Sequence, residues 1–144
     1  MKQFKITIIL IIACIVFYAC PDREKGHQYI TIVNRTNKDV VYQGLINWTD
    51  TFFYCSNTGT TIPITVRADS LNKFEADIWS SGWEASLNRG EIMNILVADA
   101  EKYNQYWREP CDTIRKYVPI LYRYQLTLED LQRMNWTVVY PPKE

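Results

Sequence analysis

The sequence predicts a mostly β fold, a small two-layer sandwich with one short helix before its last strand. Three observations point there. Runs of β-branched and aromatic residues recur at Tyr29–Asn34, Ile92–Ala98 and Trp136–Tyr140, and such residues suit a pleated, half-buried surface. Clusters of Asn, Asp, Ser, Thr and Gly separate the runs, as at Arg35–Asp39 and Ser56–Gly59, and these residues favour turns. The clearest helix signal is confined to Thr127–Asn135. The alternative architecture is α+β, one open sheet covered by helical pieces drawn from 67–80 and 99–118.

Taken in order, Tyr29–Asn34 reads as a strand, Arg35–Asp39 as a turn and Val40–Tyr42 as the returning strand of a hairpin. Thr51–Cys55 reads as another strand. Thr60–Val66 is extended but contains Pro63, which cannot donate to a ladder, so it belongs at an edge or in an irregular segment. Residues 67–90 are ambiguous: Leu71, Phe74, Ile78 and Trp79 fit a helical stripe, and Ser80-Ser81-Gly82 would end it. Ile92–Ala98 is a short apolar run between Gly90 and Asp99, the mark of a buried strand.

Residues 99–118 are polar and aromatic, with Pro110, and fit one or two short helical turns. Pro119–Leu126 reads as a strand. Thr127 is a capping residue, and Asp130 stands where the reciprocal carboxylate of a capping box belongs. Leu128 and Leu131 are three apart and share a face, and the helix should end near Asn135. In the last strand Trp136 and Tyr140 alternate with Val138, which places them in the core or on a sheet face. Pro141-Pro142 stops it.

The N-terminus tells where the chain is expected to reside. Lys2 and Lys5 precede the low-polarity run Ile6–Ala19, which ends at Cys20. A basic start, an apolar middle and a small residue before the cut make a secretory signal. The run is shorter than the roughly 17–20 residues a spanning helix needs, and charge follows at once in Asp22-Arg23-Glu24-Lys25. Phe17-Tyr18-Ala19-Cys20 resembles a bacterial lipobox, which implies cleavage before Cys20 and lipidation of its thiol. The expected organisation is a lipoprotein signal peptide at 1–19, a polar tether at 20–27 and a single β-rich domain at 28–144.

The charge balance excludes one class of partner. The 144-residue chain has 16 basic and 16 acidic residues, and loss of Lys2 and Lys5 with the leader leaves a slight negative excess. No stretch clusters basic residues, so nucleic acid is not an expected ligand. Membrane association is expected from the lipid at Cys20.

Of the four cysteines, Cys14 leaves with the leader and Cys20 carries lipid. Cys55 and Cys111 remain, in a compartment that permits pairing. A bridge between them would contribute roughly 4 kcal/mol by the chain-entropy argument. The other reading is two separately buried thiols. A catalytic thiol usually needs an activating base, and the only histidine, His27, lies in the expected tether.

The C-terminal run Arg123-Tyr-Gln-Leu-Thr-Leu-Glu-Asp-Leu-Gln-Arg-Met-Asn-Trp-Thr-Val-Val-Tyr-Pro141 resembles the end of small cell-envelope lipoproteins of Bacteroidetes. So does an early strand ending in Asn, as Ile32-Val33-Asn34 does here. The resemblance covers the leader, that strand and about the last 20 residues, and leaves 45–115 poorly covered. It implies a cell-envelope lipoprotein and no known activity. On the same resemblance, Asp69-Ser70-Leu71 and Asp112-Thr113-Ile114 are similar to the Asp-Ser/Thr-apolar O-glycosylation motif of that group.

The chemistry-bearing patterns are few. No second Cys or His accompanies Cys55 or Cys111 at zinc-ligand spacing, and acidic residues such as Asp99 and Glu101 read as solvated loop residues. Asp77, Glu84, Glu91 and Asp99 are candidates for a glycosidase carboxylate pair, but nothing in their spacing selects one. No nucleophile elbow or phosphate-cradling glycine loop is present. The aromatic residues remain: Trp48, Trp79, Trp83 and Trp107 lie near expected turns, where flat rings make sugar- or protein-binding surfaces. Otherwise they fill the core. The expectation is a non-enzymatic binding or structural module with no cofactor and no metal. The second reading is a carbohydrate-contacting accessory protein of an uptake or adhesion system, using those tryptophans.

Overall fold

Met93–Asp99 is the strand around which the domain is organised. A computed structural model describes residues 26–47, 49, 63–75, 82–88 and 90–142. The leader, Cys20, Trp48, Cys55, Trp79 and the strand expected at Thr51–Cys55 lie outside the described residues. The strands are β1 (Tyr29–Asn34), β2 (Val40–Ile46), β3 (Ile64–Val66), β4 (Ser70–Glu75), β5 (Met93–Asp99), β6 (Ile120–Leu126) and β7 (Thr137–Tyr140). Among the described residues four short helices accompany them: α1 (Trp83–Leu87), α2 (Ala100–Tyr106), α3 (Cys111–Tyr117) and α4 (Leu128–Arg133).

Two sheets form. One has three strands in the order β4-β1-β7, and the other four in the order β3-β2-β5-β6. All pairings are antiparallel except β1 with β7. Between the sheets lies the main core, with Ile30, Ile32 and Val138 from the first and Tyr42, Ile95, Val97 and Leu126 from the second. This is the two-layer sandwich expected from the sequence, with additional helices.

The second core explains why β5 reads as a continuous apolar run. Val41, Leu96 and Ala98 point away from the sandwich and are covered by Ala100, Ile114 and Val118 of the α2–α3 region. With both faces covered, Met93 through Ala98 are all buried, as a strand central to three layers must be. Farther along the same face the buried Asn94 is hydrogen-bonded: its Oδ1 accepts from Arg123 Nε at 3.2 Å and Nη2 at 2.8 Å.

Several expectations are corrected. Tyr29–Asn34 and Val40–Tyr42 are not a hairpin, because β1 and β2 belong to different sheets. The Arg35–Asp39 turn is a corner that carries the chain from one layer to the other. A corner and a hairpin share turn composition, and only the pairing partners distinguish them. Leu71 and Phe74 lie in strand β4, paired with Val33 and Ile30, and not on a helix. Their helical spacing yields to ladder hydrogen bonds with β1, a tertiary choice that local spacing does not encode.

Other elements follow the local chemistry closely. β3 is an edge strand just after Pro63. Thr127 and Asp130 form the reciprocal capping box of α4, and Leu131 is fully buried. α4 ends in a Schellman arrangement: Trp136 N donates to Leu131 O at 2.8 Å and Asn135 N to Gln132 O at 3.0 Å. Asn135 takes the left-handed conformation this requires, with φ 48°. Among the described residues, no helix is long and apolar enough to cross a membrane.

Candidate functional site

The sandwich has two ends of different character. At one end the chain changes sheets twice, through Arg35–Asp39 and through Arg67–Asp69. Asn34 holds these two corners together. Its side chain is fully buried, and its amide donates to Lys38 O at 2.7 Å, Val66 O at 3.2 Å and Arg67 O at 3.0 Å. Its Oδ1 accepts from Thr36 N at 3.0 Å and Thr36 Oγ1 at 2.8 Å. Asp39 adds a second tie, its carboxylate accepting from Ala68 N at 2.8 Å.

Among the described residues, two clefts open at this corner end. The larger, about 700 Å³, is lined by Val33, Asn34, Arg35, Asp69, Ser70 and Leu71. It offers a cation, a carboxylate, a hydroxyl and the apolar Leu71, which is 57% exposed. The smaller, about 300 Å³, lies between Lys38, Asp39 and the start of α2. Two of its three acidic groups are engaged within the fold: Asp99 caps α2 by accepting from Lys102 N at 2.9 Å, and Asp39 is held as above, while Glu101 also lines it. Among the described residues, no group of three or more metal-ligating side chains converges. These groups suit recognition by hydrogen bonds and apolar contact.

The opposite end carries α1 and α4, and here the N-terminal segment is built into the domain. Gly26 and His27, read from the sequence as the end of a tether, pack onto it. Glu84 grips His27 twice, accepting from its main-chain N at 2.7 Å and meeting its Nδ1 at 2.5 Å. Trp83 N donates to His27 O at 2.9 Å. The His27 ring stacks on Trp136, with centroids 4.3 Å apart and planes 15° from parallel. Gly82 lets the two backbones meet: a β-carbon there would lie 2.6 Å from the Gly26 carbonyl carbon. Burial pushes the Glu84 carboxyl up, but the bonds from the His27 ring and amide outweigh it and hold the carboxyl below its usual value.

The two sheets are also tied along one side. Tyr124 of β6 donates its hydroxyl to Val139 O of β7 at 2.7 Å. Burial, then the neighbouring Tyr122 and Tyr140, push its phenol far up, and burial alone pushes Tyr42 up to about 12. Both phenols therefore stay protonated throughout the ordinary pH range.

The sequence-predicted site residues scatter. Trp83 is only 5% exposed and belongs to the main core, so it is corrected from candidate ligand contact to packing residue. The reason is its place at the start of α1, whose buried side faces the sandwich. Trp107 is 50% exposed, with the Arg108 guanidinium 4.7 Å from its ring centre. Tyr117 is also exposed and stacks with Tyr106 at 4.9 Å. Cys111 opens α3 and is partly buried. Ser70 lies in the larger cleft, whereas Ile114, which follows Thr113, is buried in the second core. Of the candidate carboxylates, Glu84 is bound to His27 and Asp99 is spent as a helix cap.

Sequence reasoning missed Asn34 and the His27–Glu84–Trp136 contact. The first had a local signal, since an Asn two residues before a Thr is a common Asx-turn pattern. The second joins residues 57 positions apart and has no local signal. No known family model, curated protein or solved structure matches the chain.

Proposed function

We propose that the chain is an envelope lipoprotein, anchored through acylated Cys20 and carrying a non-enzymatic binding or structural module, on the outer membrane. The observation that supports it is the docking of Gly26 and His27 at one end of the sandwich. Six positions after the cysteine, the chain is already part of the fold. An anchor at Cys20 would therefore hold the domain close to the lipid. Cys20→Ala should abolish fatty-acid labelling and release the protein from the membrane fraction. Unchanged fractionation and labelling would overturn the reading.

Trp107 favours a second reading, a carbohydrate contact. Its half-exposed indole beside Arg108 has the flat face and polar neighbour that sugar rings stack on. Affinity electrophoresis through neutral polysaccharide gels should show retardation that Trp107→Ala removes. Equal mobility of the two proteins would discard it.

A further inference from the structure

We propose that Gly26 and His27 form a strap that fixes how the domain stands on a lipid surface, with the α1/α4 end turned to the bilayer and the Arg35–Asp39 corner turned away. The proposal rests on the acylated-Cys20 reading above and goes beyond it, because an anchor alone sets distance and leaves orientation free. A flexible tether would let the domain tumble through every orientation its length allows. Here the span between anchor and domain is short. From Cys20 to Gly26 the chain can reach at most about 20 Å when fully extended.

The strap is more than an incidental contact. A single carboxylate, Glu84, takes both the main-chain amide and the ring nitrogen of His27, so peptide and side chain are fixed together. The Trp83 amide holds the His27 carbonyl from the other side. Gly82, with φ 113°, admits the Gly26 backbone at a distance no side chain would permit. Trp136 supplies the floor at a cost: it follows the left-handed Asn135 and is itself left-handed, with φ 55°. Such a conformation is unfavourable in an aromatic residue and persists only where the surroundings over-determine it. That backbone places the indole both in the core and under the His27 ring.

The geometry sets the two ends apart. β1 leaves the strap and runs directly to Asn34 at the corner, about 20 Å away for a strand of this length. α4 follows β6 and precedes β7 at the strap end, so exposed Gln132 marks that end and exposed Asn37 marks the corner.

The test uses the full, acylated chain in phosphatidylcholine vesicles containing an acceptor dye. A donor fluorophore is placed at Gln132 or at Asn37 through a non-canonical amino acid. Energy transfer should be several-fold stronger from Gln132. The double variant His27→Ala, Glu84→Ala should bring the two positions toward equal transfer, and the milder Glu84→Gln should do so in part. Equal transfer from both positions of the unmodified, acylated protein would overturn the strap and leave the anchor standing. A chain without fatty acid at Cys20, read by mass on the same sample, would overturn the anchor and the orientation together.

Discussion

Asn34 donates from its side chain to the main-chain carbonyl of Val66, 32 residues away, and so joins the two corners at which the chain changes sheets. The same amide group reaches Lys38 O and Arg67 O. A buried polar group this fully paired is stabilising, and truncation would leave three carbonyls without this donor. Asn34→Ala should therefore lower stability by about 2–4 kcal/mol. Asn34→Asp should cost more, because a carboxylate would face those carbonyls with no donor. Urea midpoints of the three proteins check the order, and Asp at or above Ala would contradict it.

The two described candidate tryptophans should respond oppositely. Trp83→Ala empties a site in the main core and should cost about 3–5 kcal/mol. Trp107→Ala removes an exposed ring and should stay within about 0.5 kcal/mol. Thermal or urea unfolding of each variant gives the comparison, and a large loss for Trp107 would show that it is a packing residue.

Acid should weaken the fold through two carboxyls. Hydrogen bonds from the Thr127 main chain and hydroxyl, with a smaller pull from Arg133, hold Asp130 below its usual value. Glu84 is lowered by His27 despite its burial. A depressed carboxyl contributes stability that is complete above its unfolded value, about 4, and is lost as pH falls through the lower folded value. Urea midpoints should thus be nearly level with respect to these groups from pH 7 to about 5 and should fall below about 4. Asp130→Asn should start lower at neutral pH and fall less in acid. Parallel curves for the two proteins would exclude Asp130 as a contributor.

A bridge between Cys55 and Cys111 is a separate expectation of the envelope reading. Non-reducing peptide mapping of protein from the native host should find the two residues joined. Alkylation of both thiols in the native fold would refute it.

How much was legible depended on whether a residue's partner lay near it in sequence. The capping box at Thr127 and Asp130, the Asn135 turn and the buried run ending at Ala98 all follow from neighbours within a few positions, because capping bonds and strand alternation are short-range effects. The apolar run at 92–98 marks a buried strand, and the structure adds that the α2–α3 region covers its second face. Leu71 and Phe74 were ambiguous for the opposite reason: their spacing fits a helix, and only pairing with β1 makes them a strand.

By itself, then, the sequence determined a β-rich domain, several of its strands and the cap of its last helix. The tertiary structure decided which strands share a sheet, so that Arg35–Asp39 is a corner and not a hairpin. It also decided that Trp83 is core while Trp107 is surface, and that His27 is held by Glu84 and Trp136. Each of these turns on contacts between residues far apart in the chain, whose free energy depends on a closed arrangement of both sheets and has no counterpart in local composition.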